Sequence, residues 1–139
     1  MAYNPQLSIT GIQEVQAKNN RRIAALRPTG AAGQAVKDAI IALHRYATQI
    51  THVGKYAGGG ALKSSHRMEV DGLYGTVAID RKSVSPRRTK RKNRPVVYGV
   101  YENARGGEHA FYDRTVDEIG DQVQQRAINT IRAAVLYGK

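Results

Sequence analysis

The sequence predicts an α+β domain: a small antiparallel sheet of three to four strands packed against two long helices and a shorter N-terminal helix. Three observations predict it. Apolar residues recur at spacings of three and four over two long stretches. Between those stretches the period changes to two on either side of a glycine turn. The chain has 139 residues, 41% of them apolar, which suits a single domain over residues 1–139 with one modest core.

Each element has its own signal. Leu7–Thr10 (LSIT) alternates apolar and polar residues, as a short strand does. Thr10 and Gln13 stand at capping-box spacing, and Ile12, Val15, Ile23 and Leu26 then outline a short amphipathic helix. The RPTGAAG stretch breaks it. From Gln34 to about Val53, the residues Val36, Ile40, Leu43, Ala47 and Ile50 share one helical face. This helix ends at GKYAGGG, because glycines are costly to order in a helix. In SHRMEVD, Met68 and Val70 alternate with Arg67, Glu69 and Asp71; GTVAID repeats the pattern with Val77 and Ile79, and DGLYG supplies the turn of a hairpin. PVVYGVYE (Pro95–Glu102) reads as a third strand or a bent segment. A last helix runs from about Phe111 to Leu136, with Val116, Ile119, Val123, Ala127, Ile131 and Ala134 on one stripe. Asp113, Asp117 and Glu118 lie early in it and Arg132 late, as the helix dipole favours.

Charge is concentrated. The formal net charge is +11, and residues 81–94 (RKSVSPRRTKRKNR), inserted between strands, carry +8 of it. The eight cations are Arg81, Lys82, Arg87, Arg88, Lys90, Arg91, Lys92 and Arg94, with no acidic residue among them. A solvated, disordered run is one reading of this arm. The reading adopted here is proximity to a nucleic-acid backbone, because like charges this dense repel one another unless a polyanion or acidic neighbour is close. Such contact would go to phosphates and ignore base sequence.

Catalytic and cofactor chemistry finds no foothold. In AGGGALKSSH, Lys63 and Ser64 mimic the end of a phosphate-binding loop, but Ala57 and Leu62 stand where its glycines belong. The stretch also follows a helix and precedes a strand, the reverse of the required context, so it reads as a terminator and joint. His44 and His52 share a side of the predicted helix two turns apart, too far to chelate one metal together, and no H-E-x-x-H occurs. Asp117 and Glu118 are adjacent and point apart. Ser64 and Ser65 lack a nucleophile elbow. No enzyme activity, cofactor or metal is expected. There is no cysteine, hence no disulfide or thiolate site. No apolar run approaches the ~20 residues of a membrane helix, and MAYNPQLSIT lacks the pattern of a signal peptide. The expected setting is the cytoplasm, or something assembled there, without membrane contact. Tyr98 and Tyr101 in VYGVYEN could stack on bases beside the arm. The preferred reading places them at the edge of the core or of a subunit contact.

The order of these motifs resembles the tail-completion or neck proteins of long-tailed bacteriophages, over about residues 7 to 136. Gly60, Leu62 and Ser65 stand where that family has a glycine, a leucine and a serine before its first long strand, although its acidic residue and threonine are missing. Tyr98, Tyr101 and Glu102 match its tyrosine-rich turn, with Asn103 and Ala104 replacing the usual glycine-threonine. Phe111 matches the phenylalanine that opens its last helix, with His109 and Ala110 where a proline often stands.

The resemblance implies a structural virion protein of the head-tail interface, assembled in the host cytoplasm. It implies a homo-hexameric ring between the capsid connector and the tail tube, touching adjacent neck proteins and letting DNA pass. Six arms would bring about +48 to one ring, facing DNA or acidic surfaces of a neighbour. Tyr98, Tyr101 and Glu102 are then candidate subunit contacts. The alternative, from another class, is a monomeric RNA- or DNA-binding module of ribosome-associated type.

Overall fold

The computed structural model describes residues 10–53, 60–80 and 98–138. In chain order these form α1 (Ile12–Leu26), α2 (Ala31–Ile50), α3 (Ala61–Ser64), β1 (His66–Asp71), β2 (Tyr74–Ile79) and α4 (Tyr98–Ala104). A 3-10 turn (Gly107–His109) follows, then α5 (Phe111–Thr115), a π-helical turn (Val116–Gly120) and α6 (Asp121–Tyr137). The α+β class holds. The predicted basic arm, and Leu7–Ile9 of the first predicted strand, lie outside the described residues.

The sheet corrects the expected strand count. Among the described residues it has two strands, β1 and β2, paired antiparallel. The described part of the segment expected as a third strand or a bent segment, residues 98–102, lies instead in a helix, Tyr98–Ala104. Packing overrides strand propensity there: Gly99 lies flush on Ile79 and Leu62, where a Cβ would overlap both side chains. The hairpin itself matches its pattern. His66 faces Ile79, Met68 faces Val77 and Val70 faces Gly75 across the ladder. This face turns to α2, since Gly75 lies directly beneath the Ile40 side chain. One helix laid across two strands covers them incompletely, and Met68 and Val70 stay exposed.

Helix α2 is the hub, packing on α1, α6 and both strands. It begins at Ala31 rather than Gln34 and ends at Ile50 rather than near Val53. Its deepest positions are Ala32, Gly33, Ala35 and Ala47, while Val36, Ile40, Leu43 and Ile50 are half-buried. Gly33 is pressed against the Pro28 backbone so closely that a side chain has no room. The expected capping box of α1 does not form: its N-cap is Gly11, with φ of 88°, and no side chain caps it.

On the last helix, Val123 is buried and Ile119, Ala127, Ile131 and Ala134 are half-buried, as the stripe predicts. Val116 departs from it and is 64% exposed. The π turn is the physical reason, because its wider hydrogen-bond spacing inserts about one residue and rotates what precedes it. The enclosed centre is small. Leu62 and Phe111 form its nucleus, with Ile50, Ile79 and Tyr112 packed around them.

Two outcomes test this packing by urea denaturation followed by circular dichroism. Val123→Asp should unfold the domain or cost about 3 kcal/mol or more, because it buries an unpaired carboxylate. Gly33→Ala should cost about 1–3 kcal/mol, because the obstructing atoms are backbone and cannot turn aside.

Candidate functional site

The most constrained polar chemistry lies where the end of α2, the start of β1 and α5 meet. His66 is 3% exposed and opens β1. Its Nε2 lies 2.8 Å from Thr51 Oγ1, and its Nδ1 lies 3.1 Å from the Tyr112 hydroxyl. Thr51 caps α2 and donates its one hydroxyl proton to the Ala47 carbonyl at 2.6 Å. It can therefore only accept from His66, so Nε2 carries the ring proton. Nδ1 is then a lone pair that accepts from Tyr112. The Phe111 ring stands perpendicular to the imidazole at 5.2 Å between centroids.

Burial makes these groups reluctant to ionise. Desolvation, then the nearby His44, pulls His66 down to about 4, and desolvation pushes the Tyr112 hydroxyl up to about 12. Both are neutral near pH 7. With every proton committed, the three side chains form a directional fastener between three elements.

A second polar group flanks it. Glu102 on α4 pairs with Arg105 at 3.1 Å and lies 2.9 Å from His109 Nδ1, outside hydrogen-bond alignment. The His109 ring also meets His52 edge-on, 5.5 Å between centroids. His52 lies past the end of α2, so it does not share a helical side with His44 as expected. Asn103 was noticed in the sequence only as a departure from a motif. Its Oδ1 accepts the Tyr112 backbone N–H at 2.9 Å and so ties α4 to the first turn of α5. Among the described residues, no three His, Cys, Asp or Glu side chains gather as a metal site would require.

The predicted contact residues divide. Tyr101 is 72% exposed on α4, whereas Glu102 is engaged by Arg105 and His109. Tyr98 opens the same helix. The eight arm cations lie outside the described residues. Farther along the last helix, Glu118 accepts from Tyr46 on α2 and from Arg114 at 2.8 Å, and these hydrogen bonds hold its carboxyl below the usual range. Glu118 is therefore a brace and Asp117 is not its partner in chemistry.

Among the described residues, α1 carries a partly exposed apolar face and a groove runs beside α2, and the sequence periodicity alone does not distinguish either from core. On α1, Ile12, Val15, Ile23 and Leu26 are each about half exposed, and the helix has no buried residue. Between α2 and α6 runs a groove of about 500 Å³, lined by Ala35, Ala39, Ala42, Val123 and Ala127 with Asp38 among the polar groups. No described helix is long and apolar enough to cross a membrane. Comparison with known proteins finds no matching family model, no matching curated protein and no matching solved structure.

The fastener predicts a coupling. Tyr112→Phe and Thr51→Val should each cost about 1–3 kcal/mol, since each leaves a buried imidazole nitrogen without its partner. In a double-mutant cycle by urea denaturation, the two losses should be non-additive by 0.5 kcal/mol or more, on the order expected for groups sharing one network.

Proposed function

We propose that the chain is a structural virion subunit that works as one copy of a closed ring, of six copies, at the head-tail interface of a long-tailed bacteriophage. In this reading it joins the capsid connector to the tail tube and lets DNA pass. It is assembled in the host cytoplasm and resides in the neck or tail. The observation that carries the proposal is the aliphatic stripe of α1. Its four large side chains are 49–58% exposed on a helix that buries none of its residues. A 15-residue helix is marginal by itself, and α1 rests on α6 and α2 without burying any residue, so a covering neighbour would add to its stability.

The hairpin supports the same reading. No described strand pairs with the outer edges of β1 and β2, and such edges favour pairing with another chain. A head-to-tail contact that closes at the right rotation makes a ring. The order of motifs resembling neck proteins supplies the location. Tyr101 and Val100, both exposed on α4, are available to a neighbouring subunit. The arm's charge, repeated around a ring, calls for DNA phosphates or an acidic neighbour.

Light scattering on the eluting chain, with electron microscopy of the peak, tests assembly. The expected result is a ring. Changing Ile12, Val15, Ile23 and Leu26 together to Gln should leave a folded monomer. A wild-type monomer that binds RNA tightly, with affinity falling steeply as salt rises, would establish the nucleic-acid-binding module instead. Changing Arg87, Arg88, Lys90, Arg91, Lys92 and Arg94 to Gln should spare the circular dichroism spectrum and weaken assembly or DNA retention. Particles that package and eject DNA normally with those changes would remove the role of the arm.

A further inference from the structure

We propose that the Tyr112–His66–Thr51 chain is an acid-released latch on the root of the basic arm. It holds α5 against β1 and the end of α2 while His66 is neutral, and frees α5 when His66 gains a proton. This goes beyond the ring and does not depend on it.

The geometry of the root comes first. Residue 81, the first of the arm, follows Asp80. The Asp80 backbone N–H donates to the Ser65 carbonyl at 2.7 Å, one residue before His66. Arg67, one residue after His66, reaches the Asp80 carboxylate at 3.7 Å. On the return side, α4 rests Gly99 on Ile79 and Leu62, and its Asn103 accepts the Tyr112 backbone N–H. The described chain on both sides of residues 81–97 is thus fastened to neighbours of the imidazole.

Protonation then sets two donors against each other. The new proton would sit on Nδ1, aimed at the Tyr112 hydroxyl, which already points its own proton there. Nε2–H still needs Thr51. Tyr112 would have to rotate its hydroxyl and surrender its present bond. The surroundings do not offset the new charge. Helix α2 presents His44, whose Nε2 lies 3.3 Å from the His66 carbonyl. Strand β1 presents Arg67, whose guanidinium also reaches that carbonyl at 3.1 Å. Helix α5 presents the neutral Tyr112 and the Phe111 ring, and α3 presents Leu62 within the same apolar nucleus. The carboxylate past β2, Asp80, is engaged by Arg67. Among the described residues no carboxylate pairs with the ring.

The direction follows. Burial holds His66 at about 4 in the folded state, against 6.5 for a free imidazole. The latch therefore contributes its full stability above about pH 6.5, and that contribution is lost as the pH falls toward 4. Opening α5 exposes the imidazole and Phe111 of the apolar nucleus, whereas the more extensive α2–α6 contact rests on other residues, so the root should loosen before the helices separate.

Hydrogen exchange on the intact chain from pH 7 to 4, corrected for intrinsic rates, tests this. It is to be read beside nitrogen NMR of the His66 ring. The neutral ring should be the Nε2–H tautomer. Protection of the Tyr112 and Asp80 amides should fall at least tenfold more than protection in α6 around Val123. Tyr112→Phe, which removes the donor that favours the neutral ring, should move this loss to higher pH. His66→Gln should abolish the differential loss; if that variant does not fold, the wild type and Tyr112→Phe decide the matter. Equal loss of protection in α5 and α6 would overturn the latch. So would His66 titrating like a free imidazole with no change at Tyr112 and Asp80.

Discussion

A neutral imidazole enclosed by a threonine, a tyrosine and a phenylalanine ring is the point on which the described fold turns. Thr51 has one hydroxyl proton and spends it on its own helix, at the Ala47 carbonyl. That single commitment propagates: it dictates which nitrogen of His66 is protonated, and hence which way Tyr112 donates. Hydrophobic contact alone tolerates sliding, whereas a chain of donors with fixed polarity does not. The placement of α5 against the hairpin inherits that exactness. So does the enclosure of Phe111, the one phenylalanine of the chain, which is 1% exposed.

Periodicity made much of this fold legible. α1, α2, the hairpin and the last helix all stand where spacings of three and four, or of two, put them, because those spacings reflect backbone geometry that tertiary contacts seldom alter. The pattern of Pro95–Glu102 admits a strand or a bent segment, whereas Tyr98–Ala104 is helical for a reason local patterns cannot contain. Its helical state depends on Gly99 meeting Ile79 and Leu62, residues distant in sequence. The same limit hid the site. His66 carries no motif, and its partners Thr51 and Tyr112 lie 15 and 46 residues away. The resemblance drew notice to positions 98, 101 to 104 and 111, and Asn103 and Phe111 among them prove structural. What periodicity could not say was how deep each apolar face goes, since depth depends on what lies opposite.

That question of depth separates interior from exterior in an unusual way. On α2 the most enclosed positions are alanines and a glycine, which let backbones approach closely and contribute little apolar area of their own. The larger aliphatic residues of α1, which rests on α6 and α2, stay about half exposed. Apolar area on α1 is thus only partly used by the core of the described chain. A core whose deepest helical positions are this small gains little apolar burial per residue. Any partner that covered these half-exposed side chains would add burial, and folding and association would then share the same free energy.

The π turn between α5 and α6 carries a different consequence. By admitting an extra residue, it sets the two halves of one rod out of phase, like gears cut on a common shaft with one tooth offset. α5 encloses Thr115 and sets Phe111 beside Leu62 and Ile79, while α6 encloses Val123. A deletion of one residue between 116 and 120 would restore regular winding and turn one half by roughly 100° against the other. The irregular turn is therefore a phase adjuster, and its length rather than its chemistry is what the architecture has to conserve.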